Sequence, residues 1–203
     1  MGLHTVQGHA MKLVILDRNG TINVHREDFV KSDVEWTPLP GALEAIARLN
    51  HAGWVVAIAS NQSGLGRGLF DMASLNAMHA KMHKMLAAVG GRVDAVFFCP
   101  HAPDEGCNCR KPMPGLFEQI GERYGIDLRG MPTAGDSLRD LLAGHAAGCE
   151  PHLLLTGMGA ACRGVDPLPA EYPPGTRVHE DLPAFVDFLL AREAQQAGTA
   201  GDA

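Results

Sequence analysis

No stretch of the chain comes near the roughly 18 consecutive apolar residues that a bilayer-spanning helix needs, which excludes an integral membrane helix. Positive charge is not in excess either. Seventeen Lys and Arg against 23 Asp and Glu give a formal charge of −6, which argues against a general binder of nucleic acid or anionic membrane. A local basic pocket for a phosphate ester stays possible. Cysteine is too sparse for a disulfide framework, with five in 203 residues, and three of them crowd between Cys99 and Cys109. That placement fits a reducing compartment and a metal site better. The opening MGLHTVQGHA has neither the basic start nor the apolar core of a signal peptide, so the expected location is the cytoplasm. Internal repeats and low-complexity segments are also lacking.

The chain carries 46% hydrophobic and 20% charged residues, enough for one globular α/β domain. Short apolar runs alternate with amphipathic stretches, the pattern of a parallel sheet with helices on both faces. The spacing predicts strands at 12–16, 54–59, 95–98, at a short run ending at Thr133-Ala134, and at 152–155. Helices are expected from Pro40 to Gly53, from a cap at Asp71 to Val89, over 114–124, over 138–147 and from about Asp181. Residues 157–175, rich in Gly and Pro, read as loop. Residues 1–194 form the expected single domain, and 195–203 a disordered tail.

Ligands of such a sheet gather at the carboxyl ends of the strands, so the polar residues that follow each strand should converge. Asp17, directly after the first strand, can serve as a nucleophile toward phosphorus beside a divalent cation, although Asp-x-Asn-Gly can equally shape a turn. Ser60 and Asn61 follow the second strand and offer a hydroxyl and an amide to phosphoryl oxygens; a loop or cap pair is their ordinary alternative. Arg110 and Lys111 supply cations, with Lys111 suited to act as a point charge on the transferring group. Asp136 and Asp140 stand at a strand end and in the first helical turn. Asp136 could ligate a metal with Asp17, and Asp140 could hold Lys111 or a metal-bound water.

Cys99-Pro-His101 and Cys107-Asn-Cys109 provide three thiols and one imidazole within eleven residues. C-x-H-x5-C-x-C can close a tetrahedral site of the kind structural Zn²⁺ occupies, with no position left open for catalysis. Such a loop runs straight into Arg110 and Lys111 and would orient both.

Strand-DxDGT, strand-(S/T)N, RKP and strand-GDxxxD, in that order over about residues 12–160, resemble the haloacid dehalogenase superfamily. Four ordered motifs at strand ends carry that resemblance where any one would be weak. It implies a Rossmann-like fold, Asp17 as nucleophile, and Mg²⁺ held by Asp17, the main-chain carbonyl of Asn19 and Asp136. It also exposes a departure. The superfamily's second motif Asp, which protonates the leaving group and then activates water, is here Asn19, and an amide can do neither. A general acid–base group is worth roughly 10²–10⁴ in rate, so strongly reduced turnover is expected while folding and metal binding survive. The rest of the site is intact, which is easier to understand for a deliberate, engineered substitution than for natural loss; an Asp codon in the source genome would decide the matter.

Within the superfamily, the segments LDRNGTIN, SNQSGLGRG and CNCRKPMPG, the zinc-bearing loop and the absence of a large inserted cap resemble the phosphatases that remove the 7-phosphate of D-glycero-D-manno-heptose 1,7-bisphosphate. The histidinol-phosphate phosphatases are close relatives. The resemblance implies that the loop from Asn23 through His25 to Asp28 meets the sugar. Ser60 and Lys111 would grip the transferring phosphoryl group, Asn61, Gln62 and Ser63 would line the pocket, and Arg110 would recognise the far end of the substrate. Ser137 would be a further contact. Arg67 could add a phosphate contact, although an exposed loop arginine is its ordinary reading, and His79, His83 and His145 receive no role. A monomer acting on a small phosphorylated sugar is expected, as is, should Asn19 be natural, a phosphosugar-binding pseudophosphatase.

Overall fold

The computed structural model describes residues 11–201. Its sheet has six strands, all parallel, in the order β3-β2-β1-β4-β5-β6. They are β1 (Leu13–Leu16), β2 (Val55–Asn61), β3 (Ala95–Cys99), β4 (Pro132–Gly135), β5 (Glu150–Leu154) and β6 (Arg177–His179). The helices are α1 (Ala42–His51), α2 (Ser63–Gly66), α3 (Met72–Ala88), α4 (Gly115–Tyr124), α5 (Leu138–Ala146) and α6 (Leu182–Gly201).

The central strand β1 is buried at every residue, as an apolar run with no polar alternation must be when helices cover both faces. Its alternate side chains feed two cores. Val14 and Leu16 join α1, α3 and α6 on one face; Leu13 and Ile15 join α4 and α5 on the other. The chain reverses direction across the sheet between β1 and β4, which pair at Ile15–Thr133 and Leu16–Ala134. The loops after these neighbours diverge to opposite sides and leave a crevice.

Five expected strands and the long helices lie where hydrophobic period and caps put them. Asp71 caps α3, its carboxylate accepting the Ser74 N–H at 2.8 Å. Three features differ from expectation. The stretch 157–175 opens with a 3-10 turn, Gly157–Cys162. The short edge strand β6 follows it, paired to β5 from His152–Arg177 to Leu154–His179; with three residues it is too brief for a periodic signal. α6 continues to Gly201 instead of ending near Ala194; the added turns carry Ala and Gln, good helix formers, and no proline, and they run through Gly198.

Phe117 of α4 is 2% exposed between the sheet and α5. Phe117→Ala is expected to cost about 3–5 kcal/mol, read as a lower urea midpoint at unchanged slope; a loss under 1 kcal/mol would contradict the packing described.

Candidate active site

The loops after β1, β2, β3 and β4 meet at the crevice, and Lys111 is the group around which they close. It is 2% exposed, and its Nζ donates to Asp17 Oδ1 at 2.7 Å and to the Ala59 carbonyl at 2.6 Å while standing 2.7 Å from Asp140 Oδ1. Three acceptors thus meet the three donors of one ammonium. Burial alone would lower the Lys111 pKa, but the Asp140 and Asp17 carboxylates override it and hold the ammonium above its usual range. Asn61 anchors the same residue by its backbone: its Oδ1 accepts the Lys111 N–H at 3.0 Å and its Nδ2 donates to the Lys111 carbonyl at 3.1 Å.

Carboxylate oxygens of Asp17, Asp136 and Asp140 lie within 4.8 Å of one another, a set able to hold a metal ion. Asp136 accepts the Met158 N–H at 2.8 Å. Burial, reinforced by Asp140 and Asp17, pushes its carboxyl up to about 8. Three acids facing one lysine leave uncompensated negative charge among hard oxygen donors, which is what a Mg²⁺ ion requires. Gly20 makes this packing possible. It adopts φ 80°, and a Cβ there would overlap Asp136 Oδ2.

Asn19 is held by its amide oxygen. Oδ1 accepts from Arg18 Nε at 3.3 Å, Arg18 Nη2 at 3.2 Å and Asn23 Nδ2 at 3.1 Å. Arg18 is fully buried, spans to Gln62 Oε1 at 3.2 Å and to His79 Nε2 at 3.2 Å, and burial brings its pKa down to about 10. Burial and the nearby Arg18 charge push His79 down to about 4, so a neutral ring accepts from the guanidinium. Neither Arg18 nor His79 was expected to matter. Only their meeting in space reveals it, since an arginine after a strand and a histidine on a helix each read as ordinary.

A cavity of about 260 Å³ opens above Asp17 and is lined, among others, by Asn19, His25, Asn61, Ser63, Arg110 and Lys111. Arg26 and Glu27, within the loop expected to meet the sugar, line it too, as does Arg67; Phe29 and Arg139 also line it and were not assigned there. Other expected contacts lie elsewhere. Ser60 is 1% exposed, its Oγ accepting from Gln62 Nε2 at 2.8 Å, and both sit beneath the lining. Asn23 is buried under Asn19. Asp28 turns outward, accepting from Arg26 and Lys31 at 3.0–3.2 Å, because those cations flank it in sequence. Ser137 caps α5, with Oγ 2.6 Å from Asp140 Oδ2; that reciprocal box occupies it.

Cys99, His101, Cys107 and Cys109 converge beside β3. Cys99 Sγ is 3.5 Å from His101 Nδ1 and 3.6 Å from Cys107 Sγ, and Cys109 Sγ is 3.3 Å from Nδ1. Tetrahedral zinc–thiolate and zinc–imidazole bonds imply edges of about 3.5–3.8 Å, so the four donors could close on one Zn²⁺.

A nucleophilic carboxylate beside a buried lysine and two further acids, at the switch point of a parallel sheet, defines a phosphoryl-transferring hydrolase of the haloacid dehalogenase class. The HAD-hydrolase-like family model matches residues 108–184. The chain is 57% identical over 180 residues to the D-glycero-beta-D-manno-heptose-1,7-bisphosphate 7-phosphatase of Bordetella bronchiseptica, covering 89% of this chain and 98% of that one. It is 50% identical to the same enzyme of Pseudomonas aeruginosa, over 88% and 97% of the two chains. The crystal structure of the B. bronchiseptica D,D-heptose 1,7-bisphosphate phosphatase complexed with magnesium and phosphate superposes with a TM-score of 0.85 at 55% identity, covering 90% of this chain and 99% of that one. The chain belongs to the family of D-glycero-β-D-manno-heptose-1,7-bisphosphate 7-phosphatases.

Two tests concern the metals. A carboxyl at about 8 binds a proton at neutral pH that a divalent cation must displace. Calorimetric Mg²⁺ titration at pH 7 in buffers of different ionisation heat should therefore show proton release, and affinity should rise with pH toward 8. Proton uptake would contradict the burial argument. Without metal the sign for stability is opposite. The folded protein binds the extra proton between the ordinary carboxylate range and about 8, so this group's contribution falls as pH rises through that window. Stripping Zn²⁺ with a chelator should weaken sugar-phosphate binding while leaving the sheet folded by circular dichroism; unchanged affinity would separate the cysteine loop from the pocket.

Proposed function

We propose that this chain binds D-glycero-β-D-manno-heptose 1,7-bisphosphate and acts on its 7-phosphate through an aspartyl-phosphate on Asp17, as a cytoplasmic monomer. The observation that carries the reading is the cavity itself. Its floor is Asp17 with Lys111, and its walls hold Arg26, Arg67, Arg110 and Arg139, so cations extend beyond the reacting centre toward a second phosphate. Histidinol phosphate, cationic at its far end, would meet those arginines unfavourably, with Glu27 the acid of the outer lining.

Bound between Asp17, Asp136 and the Asn19 carbonyl, Mg²⁺ would neutralise phosphoryl oxygens and allow an anionic nucleophile to approach them. The chain's own residues do the rest. An Asp17 oxygen attacks phosphorus, the bond from phosphorus to the sugar oxygen breaks, and the electron pair leaves on that oxygen. All three Lys111 donors already have acceptors, so its positive charge, rather than a free N–H, stabilises the transferring group. Water then displaces Asp17 from phosphorus. Both steps need a proton carrier at position 19: an acid for the leaving oxygen, then a base for the water. Asn19 is neither, and its oxygen is already committed to Arg18 and Asn23.

That commitment favours a second reading, in which the chain binds the phosphosugar without turning it over. Steady-state rates on the heptose bisphosphate distinguish the two. Asn19→Asp is expected to raise kcat by about 10²–10⁴, with a KM within severalfold of the parent's. Equal, negligible rates in both proteins would sink the enzymatic reading, and a faster rate on histidinol phosphate would overturn the substrate assignment.

A further inference from the structure

A side chain that carries a proton works best with one terminal atom held and the other free, and position 19 is built that way. Asn19 Oδ1 accepts three hydrogen bonds, from Arg18 Nε at 3.3 Å, Arg18 Nη2 at 3.2 Å and Asn23 Nδ2 at 3.1 Å. Its other terminal atom, Nδ2, makes no hydrogen bond among the described residues, and the residue lines the cavity above Asp17. A carboxylate in this place would have one oxygen in the same grip and its second oxygen where Nδ2 now stands.

Arg18 does most of the holding. It is 0% exposed, yet no carboxylate lies within ion-pair distance of it among the described residues. A buried charge ordinarily has a partner of opposite sign. The one that would fit is a carboxylate at position 19, toward which the Nε and Nη2 fork already points. The remaining donors go to neutral acceptors. Nη2 also gives to Gln62 Oε1 at 3.2 Å, and Nη1 meets His79 Nε2 at 3.2 Å. A guanidinium only donates, so the His79 nitrogen accepts and the ring proton sits on Nδ1. His79 stands on α3, and its ring meets Phe98 of β3 edge-on, with centroids 6.4 Å apart and 61° between the planes. The ring thus braces the back of the guanidinium against α3 and β3.

We infer that Arg18 is the positioning residue for the proton carrier that the reaction requires at position 19, and that His79, through Nη1, positions Arg18. The inference rests on the enzymatic reading and adds to it how the acid/base is aimed. Neither Arg18 nor His79 lines the cavity, so their effect passes through the side chain at position 19 and not through contact with the substrate. A carboxylate gripped by a braced fork keeps its free oxygen in one place, and a misplacement of about 1 Å can cost about 10² in rate. Without the brace, Arg18 can turn away and leave Asn23 as the remaining donor to that oxygen.

The test uses the full chain loaded with Mg²⁺ and Zn²⁺, as the parent and as Asn19→Asp. Added to Asn19→Asp, His79→Leu removes the acceptor and is expected to lower kcat on the heptose bisphosphate about tenfold or more, with KM within about twofold. His79→Gln, whose amide oxygen can accept from Nη1, should bring kcat back to within about threefold. Arg18→Met should cost more, up to the whole of the about 10²–10⁴ that Asn19→Asp gained. In the parent, which has no proton carrier to aim, His79→Leu should leave the affinity for the bisphosphate within about twofold by calorimetry. A loss that appears in KM, that appears equally in the parent's affinity, or that His79→Gln does not restore would give His79 a merely structural role and refute the inference, as would an unchanged kcat. An Asn19→Asp chain no faster than the parent is a separate result, seen before His79 is varied; there the enzymatic reading fails and this inference with it.

Discussion

The buried ammonium of Lys111 holds the site together. Placing a lysine at 2% exposure costs several kcal/mol in lost solvation, and the structure offsets this by surrounding the charge with Asp17, Asp140 and the Ala59 carbonyl. Those partners come from β1, β2 and α5, so one side chain ties together three of the elements that frame the crevice. β1 and β4 pair at the switch point, Asn61 grips the Lys111 backbone from both sides, and the cysteine cluster lies immediately before the same segment.

One lysine does not balance three carboxylates. The imbalance is relieved at Asp136, whose burial beside Asp140 and Asp17 raises its pKa to about 8 so that it holds a proton at neutral pH, and a divalent cation could take that proton's place. The geometry therefore offers two places for positive charge: the Lys111 ammonium, paired with Asp17 and Asp140, and the space between the three carboxylates that could hold a metal ion.

Position 19 shows how far the surroundings can accommodate a change in chemistry. Arg18, Asn23, Gln62 and His79 form a hydrogen-bonded cradle that an amide oxygen satisfies. A carboxylate in the same place would lie against the Arg18 guanidinium, whose charge favours the ionised form. The cradle thus supplies donors that either an amide oxygen or a carboxylate can accept, while only a carboxyl group could transfer a proton.

The order of strands and helices, the position of Asp17 at the end of β1, and the clustering of the acids and of the Cys/His set that could each hold a metal ion were legible in the chain itself. Hydrophobic period marks a buried parallel strand, and polar residues at its end must face the crevice wherever the helices cover both faces. Four ligands within eleven residues need no distant partner. What the sequence left undecided is which neighbours each side chain would find. Ser60, Gln62, Asn23 and Ser137 are polar and adjacent to the site in sequence, yet they spend their hydrogen bonds on internal partners. Arg18 and His79, 61 positions apart, matter because folding brings them together. Arg67, which the sequence offered as an exposed loop residue or a phosphate contact, lies over the ring of Phe29 from a separate loop. Sequence determines which groups are available and on which strand ends they lie; packing and the need to satisfy every buried donor decide which of them remain free to meet a ligand.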